Sequence, residues 1–585
     1  MSFMKFRNIL TALLVTATLF LSASCSDFLD KTPTSLTSGS YFANASEAKS
    51  FLDGIEAIPA QDAFYGNTYY YLVGGDDLEY YGPSSRSPYA TGMICNNATA
   101  SSADVASFWR VLYSGINRAN IFLSRVDGVS DLDTATVRLY KAKARFLRAF
   151  FYFNLVECWG DVPFRTQPTE TVVGLSAPRT PKARIYDFIC KEMEEAAADL
   201  PTAASVEYLP GDITKSAAWG MLARVYMFRA GEHYRDNVAA NDTEVRECFT
   251  QADKFAKMVK EQGGHSLAPH YWDVFIDQCS GKFNSTGKEI IWEVEFSGNG
   301  TSDTRSEGRV GNIIGIQAPD LSKTSYTGKQ NPGFGYAFFY GTPKIYELYQ
   351  ANGDINRMNW SLAPFKYMQL DNKTGNPIVG RLFNKGKLAE VKQQYWDESF
   401  SYGDNFVLNK SGDGESADEL KNYNLICGKW RREYEPDTKD KNRTAINFPI
   451  LRYSDILLMI AECENELNGG PTAEAYACIK DVRGRAGIAP LSEGLTQDAF
   501  REAVKDERAM EFCFEMTRRF DLIRWGEYVD KMNEVARRAI AGDNWADGMT
   551  NTYNYFRISS TYNYFPIPTI ETSVNDQITT NNPGW

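Results

Sequence analysis

Lys141 to Phe164 reads KAKARFLRAFFYFNLVECWGDVPF. Counted from Tyr140, the residues Tyr140, Ala144, Leu147 and Phe151 follow each other at spacings of four, three and four. That period lays one apolar stripe along a helix. Gly160 and Pro163 then end it, because glycine leaves the helical backbone readily and proline cannot continue it. The same grammar recurs on both sides. Ala183 to Leu200 carries Tyr186, Ile189, Met193 and Ala196 in a stripe, with Pro201 beyond. Lys215 to Ala230 turns Ala218, Leu222 and Val225 inward and stops at Gly231. Tyr453 to Asn468 aligns Ile456, Leu457, Ile460 and Ala461, and Gly469, Gly470 and Pro471 close it. Thr472 is the capping residue of the next helix, which runs toward Gly484. Gln497 to Cys513 and Arg518 to Ala539 continue the pattern. The helices come as pairs joined by short turns. Alanines at 142, 144, 218, 223 and 461 stand where neighbouring helices approach, as in tetratricopeptide-type repeats. No clean period of 34 runs through the chain, so an irregular helical domain is the plain alternative.

The middle is different. From Trp292 to about Ala445, glycine, proline, asparagine and tyrosine punctuate the chain. Ile290-Ile-Trp-Glu-Val-Glu-Phe alternates as a strand does. TSDTRSEGRVGN and NKSGDGESADE read as exposed loops. Loops carried on a rigid scaffold are where binding sites tend to lie.

The chain begins MSFMKFRNILTALLVTATLFLSASCSDFLD. Lys5 and Arg7, the apolar run Ile9 to Leu21 and the small residues Ser22, Ala23 and Ser24 form a secretory signal. The run is short for a membrane span. Cys25 follows the small residues, and the stretch resembles a bacterial lipoprotein signal, which would make Cys25 the lipidated first residue of the mature chain. Residues 1–24 are then the signal, 25–40 a lipidated tether, and 41–585 one domain. An ordinary cleaved signal with an incidental cysteine is the alternative. No later segment has eighteen uninterrupted apolar residues, so no transmembrane helix is expected. The other nine cysteines stand singly without CxxC pairs, and most are expected as buried free thiols.

The 585 residues suffice for a large core. The net charge is −12, and it becomes two units more negative when Lys5 and Arg7 leave with the signal. An acidic chain without a lysine-arginine cluster argues against a nucleic-acid partner. It also disfavours highly anionic ligands, unless a local basic pocket overrides the field. Aromatic residues make up 14% of the chain, more than a core alone requires, and exposed rings are platforms for apolar sugar faces.

Several segments together resemble the SusD/RagB family of outer-membrane nutrient-binding lipoproteins. CSDFLDKTPTSLT at Cys25 is similar to that family's mature start. Lys141 to Phe164, ARIYDFICKEMEEAAADLP and ITKSAAWGMLARVYMF are similar to its first helical motifs. INFPILRYSDILLMIAECENELNG, DERAMEFCFEMTRRFDLIRWG and YFPIPTIETSVNDQITTNNPGW are similar to its C-terminal set. Cys513-Phe-Glu departs from the more usual small-residue turn, and the middle carries no recognisable motif. The resemblance implies a mainly α fold: a right-handed superhelix of four tetratricopeptide-like helix pairs. A loop-rich, partly β subregion packs on one side. The scaffold would occupy mainly 41–290 and 446–540, and the loop-rich region about 291–445. The resemblance also implies a non-catalytic lid. It would capture oligosaccharides, or in some branches peptides, over a SusC-like TonB-dependent transporter in the outer membrane, anchored at the cell surface by its lipid.

Candidate ligand residues should lie off the scaffold. Tyr65 to Tyr89 mixes rings, carboxylates and Arg86 in a turn-rich stretch, giving Asp77, Tyr80, Tyr81, Arg86 and Tyr89. A ring covers a sugar's C–H face while carboxylate and guanidinium bond its hydroxyls. Asp76 and Asp77 would equally cap a following helical turn. The second candidate is Asn331-Pro-Gly-Phe-Gly-Tyr-Ala-Phe-Phe-Tyr-Gly, with Phe334, Tyr336 and Tyr340. There Phe338 and Phe339 are expected under the helix starting near Thr342. RRFDLIRWG, Arg518 to Gly526, reads as scaffold, its arginines paired with Glu507, Glu511 and Asp521. Trp159 and Pro566 to Pro568 read likewise, the prolines pinning an extended C-terminal segment.

Catalytic signals are weak. His233, His265 and His270 form no HExxH, so no zinc site is expected. No GxSxG precedes a helix. A spatial carboxylate pair of glycosidase type leaves no sequence signature, so a surface glycoside hydrolase stays open. A helical-repeat scaffold for protein partners stays open too. No cofactor is expected. Asp413-Gly-Glu has the ligand types for a structural calcium ion but not a full binding loop.

Overall fold

The computed structural model describes residues 42–82, 92–169, 175–204, 209–283, 287–296, 308–320, 331–363, 425–436, 439–541 and 553–585, with short strands between 365 and 408. The scaffold opens with α1 (Ala45–Glu56), α2 (Ala103–Arg125), α3 (Thr134–Trp159), α4 (Lys182–Asp199), α5 (Lys215–Ala230) and α6 (Asp242–Gln262). The chain then leaves it through α7 (Tyr271–Ser280), α8 (Pro343–Asn352) and α9 (Ile355–Ser361). It returns as α10 (Tyr453–Asn468), α11 (Ala473–Ala486), α12 (Gln497–Phe512), α13 (Arg518–Arg524) and α14 (Tyr528–Ile540).

Each scaffold helix packs on its neighbour in turn, from α2 through α3, α4, α5 and α6 to α10, which also meets α11 and α12. Four pairs result: α2 with α3, α4 with α5, α6 with α10, and α11 with α12. Small side chains let the axes approach. Ala218 and Ala223 on α5, Ala252 and Ala256 on α6 and Ala461 on α10 have no exposed surface. The ends are fixed locally. Asp133 accepts N–H groups from Ala135 and Thr136 to start α3, and Thr472 accepts that of Ala475 to start α11. In α3 the stripe widens into burial all round from Phe146 to Trp159. That half of the helix is wrapped by protein on every side, its few polar residues included: Arg148 pairs with Glu192, and Asn154 donates to the Phe150 carbonyl at 2.9 Å.

The expected helix from Arg518 to Ala539 is two helices. Gly526, at φ +72°, ends α13, and the chain restarts as α14. A left-handed backbone is open to glycine without steric cost. Pairing within this stretch meets expectation at Asp521, held by Arg524, but not at Glu507 and Glu511. Arg518 holds Asp77, and Arg524 holds Glu462 and Asp521. Glu507 and Glu511 belong instead to a buried network: Arg357, Arg452, Arg483, Arg485 and Lys429 interleave with Glu289, Glu507, Glu511, Glu515 and Asp354. Five cations meet five carboxylates, so the cluster carries no net charge into the core.

The strands that frame the site are β1 (Glu79–Tyr81), β2 (Ile290–Val294), β3 (Phe339–Gly341), β4 (Leu362–Ala363), β5 (Ile426–Cys427) and β6 (Phe448–Arg452). β2 and β6 pair antiparallel, with Phe448 opposite Val294 and Arg452 opposite Ile290. They are the neck of the excursion, since α6 precedes one and α10 follows the other. β2 does not alternate between core and solvent as its sequence suggests; all five residues are buried. Trp292 meets Phe146 and Phe150 of α3 edge-on, and Glu293 is satisfied by Gln278 at 3.0 Å and Asn447 at 2.8 Å. Beyond the neck, an antiparallel sheet runs in the order β1, β3, β5, β4. The C-terminal segment is pinned back on the scaffold: Trp159 Nε1 donates to the Pro566 carbonyl, and Phe565 N–H to that of Cys158, both at 2.8 Å. The nine described cysteines are free and buried, as their isolation in the sequence implied. No described helix is long and apolar enough to cross a membrane.

Candidate functional site

Residues 334–340 run as a kinked extended segment into β3. Phe334 and Tyr336 meet edge-to-face with centroids 4.6 Å apart, and Tyr336 stacks on Phe338 at 4.8 Å. Phe338 continues to Tyr81 at 5.4 Å, and Tyr81 to Tyr71 at 6.1 Å. Five rings thus form a row. Its inner members Phe338 and Tyr81 are buried, and its outer members Phe334 and Tyr336 are half-buried. Tyr71, at the far end, is also half-buried and packs on Phe338 and Phe339, while the Phe334 and Tyr336 end, open beside exposed polar residues, presents rigid ring surface to solvent at little entropic cost.

The backbone explains the projection. Gly335 pairs with Ala318, and a Cβ there would meet the Ile316 carbonyl at 2.1 Å, so only glycine fits. Ala337 takes φ +51°, a strained value for a residue with a side chain. It is held there because Tyr336 N–H donates to Asn312 O at 2.7 Å and Phe338 N–H to Ile313 O at 2.8 Å. Asn312, fully buried, is the hub: its Nδ2 donates to the carbonyls of Phe334 and Lys441, both at 3.1 Å, and its Oδ1 accepts from Arg309 at 3.2 Å. Arg432 supplies a second clamp, donating to Phe334 O at 2.8 Å, Asp440 O at 2.8 Å and Arg443 O at 3.0 Å. Three segments, 308–320, 331–341 and 439–447, are thereby stitched together. Beside the exposed rings stand Lys441, 5.1 Å from the Phe334 centroid and 3.1 Å from Asp320, and Asn442, whose Oδ1 accepts from the Tyr336 hydroxyl at 3.4 Å.

The other expected ligand residues lie elsewhere. Asp77 is fully buried, not solvent-facing. Arg518 reaches it at 2.9 Å and Lys344 at 2.6 Å. Burial alone would raise its pKa, but those two cations outweigh it and hold the carboxyl well below its usual range. Asp76 caps no helix; it accepts the N–H groups of Leu78 and Glu79 at the start of β1. Tyr80 and Tyr81 are buried, Tyr80 against Tyr340 at 5.8 Å and Phe556 at 6.1 Å. Tyr340, half-buried, sits on Tyr80, close over Gly82. Phe338 and Phe339 are buried as expected, and the adjacent helix α8 starts after Thr342. Cys25, Arg86, Tyr89 and Asp413 lie outside the described residues. Arg309, Asn312, Arg432, Lys441 and Asn442 were not singled out from the sequence. The one readable hint is the alternating run Lys439-Asp-Lys-Asn-Arg, which places cations at every second position.

A cleft of about 490 Å³ lies far along the scaffold, lined by Tyr113, Asn117, Asn120, Arg165 and Asn575. Three of its polar side chains are tied to backbone: Tyr113 to Pro163 O at 2.7 Å, Asn120 to the carbonyls of Arg165 and Gln167, and Asn575 to Ala177 O at 3.0 Å. The ring row is the better candidate, because its polar neighbours stand at the surface. Among the described residues no group of His, Cys, Asp and Glu has metal-binding geometry.

Residues 288–585 match the SusD family, and residues 27–227 match a family described as starch-binding and associating with the outer membrane. A SusD-like protein of Formosa agariphila is 26% identical over 92% of this chain and 93% of its own. The starch-binding protein SusD of Bacteroides thetaiotaomicron is 23% identical over 80% of this chain and 76% of its own. The crystal structure of a SusD homologue from Bacteroides thetaiotaomicron superposes with a TM-score of 0.76 at 28% identity. It covers 95% of this chain and 99% of that one.

Proposed function

The chain belongs to the SusD family, and on that premise we propose that it is a non-catalytic, surface-exposed lipoprotein that captures oligosaccharides. Cys25 carries the lipid that holds it on the outer membrane. A SusC-like TonB-dependent transporter is its partner, and this chain is the lid that delivers ligand into it. The observation that carries the reading is the half-exposed pair Phe334 and Tyr336 at the open end of a core-anchored ring row. The C–H faces of a pyranose stack on such rings, while Lys441 and Asn442 offer hydrogen-bond partners for hydroxyls. The starch-binding name of one relative agrees with this ligand class. An open, shallow platform buries only part of its ligand, so affinity is modest.

Isothermal titration against an oligosaccharide panel tests the reading. Binding is expected to at least one glycan, and Tyr336→Ala should weaken it by about tenfold or more, the worth of one stacking ring. Its thermal midpoint should stay near wild type, because the ring is half exposed. Binding to peptides and to no glycan would transfer the lid role to another nutrient. Release of reducing ends on long incubation would make the protein a hydrolase.

A further inference from the structure

Resting on the glycan reading, we propose that Arg309 and Lys441 form a subsite for one anionic substituent, a carboxylate or a sulfate ester, on the captured sugar. The ring row is the apolar half of the site and this pair is its charged half. Arg309 is only partly buried, and Asn312 Oδ1 fixes its guanidinium at 3.2 Å. The same Asn312 holds Phe334 and Lys441 by their carbonyls and Tyr336 by its N–H. The cation is therefore built into the frame that carries the rings. Arg309 has no carboxylate partner among the described residues, although the chain holds 74 acidic groups against 62 basic ones. A planar guanidinium with unspent donors binds a carboxylate or sulfate through two parallel hydrogen bonds.

The carboxylates nearby do not cancel this. Asp440 Oδ1 is occupied by the N–H groups of Asn442 and Arg443 at 2.8 and 3.1 Å. Asp320 pairs with Lys441, but that lysine is 45% exposed, and surface pairs of this kind contribute about 0–1 kcal/mol. Lys441 can therefore turn toward a ligand while its ammonium stays near the Phe334 face. The acidic balance of the whole chain is no obstacle. At physiological salt, fields fall off over about 8 Å, so remote carboxylates are screened and the contacts at the rings decide.

The test uses the full chain in detergent. Four probes of equal length are titrated: an oligogalacturonide, a sulfated malto-oligosaccharide, and neutral malto- and laminari-oligosaccharides. At least one anionic probe is expected to bind about tenfold more tightly than the neutral ones, with affinity falling as salt is raised. The arm that binds tells carboxylate from sulfate. Arg309→Gln should remove the anionic preference and its salt dependence and Arg309→Lys should restore part of it, the readout in both being the ratio of anionic to neutral affinity within one variant. Equal affinity for neutral and anionic probes, or an Arg309→Gln variant that keeps the preference, overturns the subsite and leaves the glycan reading standing. Failure of every charged and uncharged glycan to bind overturns both.

Discussion

Glu157 sits near the end of α3, buried beside Tyr65 and Tyr69, and lines a cavity of about 40 Å³ with Arg224, Thr517 and Asp521. Burial drives its pKa up to about 8, because Arg224 and Arg235, the cations that oppose the shift, have other partners. Arg224 is held by Asp455 at 2.6 Å, and Arg235 donates to the carbonyls of Val156 and Asn563. The folded chain therefore keeps a proton on Glu157 that the unfolded chain releases near pH 4.5. The stability this contributes is complete below about pH 4.5 and is lost as pH rises through 8. Glutamine has the shape of the protonated acid. Glu157→Gln should match wild type near pH 5 and exceed it by on the order of 3 kcal/mol at pH 8.5 in urea unfolding. A constant gap between the two across that range would show that Glu157 ionises freely in the fold. No sequence pattern announces such a residue: it lies within an apolar helical stripe, and only its distance from free counter-charge sets its state.

At the scale of elements, what the sequence shows depends on how local the cause is. The helices from Lys215 to Ala230 and from Tyr453 to Asn468 have the bounds that their spacing and terminal glycines predict. Both signals lie within one turn of the chain. The break at Gly526 is hidden in the sequence because the apolar period continues across it, and the φ of +72° reveals it. The partners of α12 could not be read at all. Glu511 is fully buried; burial would raise its pKa, but Arg485, Arg452 and Arg357 overcome that and hold the carboxyl well below its ordinary range. Those arginines come from α11, β6 and α9, so the pairing exists only once the excursion has folded back on the scaffold. Removing one member leaves buried charge uncompensated. Glu511→Gln should therefore cost about 3–5 kcal/mol in denaturant unfolding. Asp498→Asn on the same helix should cost under about 1 kcal/mol, because Asp498 pairs with Arg501 while 88% exposed. Equal effects from the two variants would mean that the network adds nothing beyond surface pairing.

At the scale of the molecule, the chain divides labour between a helical frame and a long excursion that begins with α7 and is drawn together where β2 pairs with β6. The frame could be read from periodicity and from the family's motifs. The site could be read only in part, because Phe334 and Tyr336 stand in a glycine-rich run while Arg309, Asn312, Arg432 and Lys441 come from positions up to 132 residues apart in sequence. Such a site works as a lid only if the whole frame is held beside the membrane. On the proposed reading a lipid on Cys25 would supply that, since each buried CH₂ contributes about 0.8 kcal/mol and several acyl chains anchor firmly where one does not. Cys25→Ala should therefore leave oligosaccharide affinity in solution unchanged but release the protein from the outer membrane. Globomycin should make the unprocessed precursor accumulate in cells carrying the native cysteine. In a detergent pull-down the native protein should bring down a large barrel, and Cys25→Ala should recover less of it, because tethering raises the effective concentration of lid at transporter. Surface display and barrel recovery that are the same with and without Cys25 would separate ligand capture from the tethered lid, and the anchor would have to be sought elsewhere in the chain.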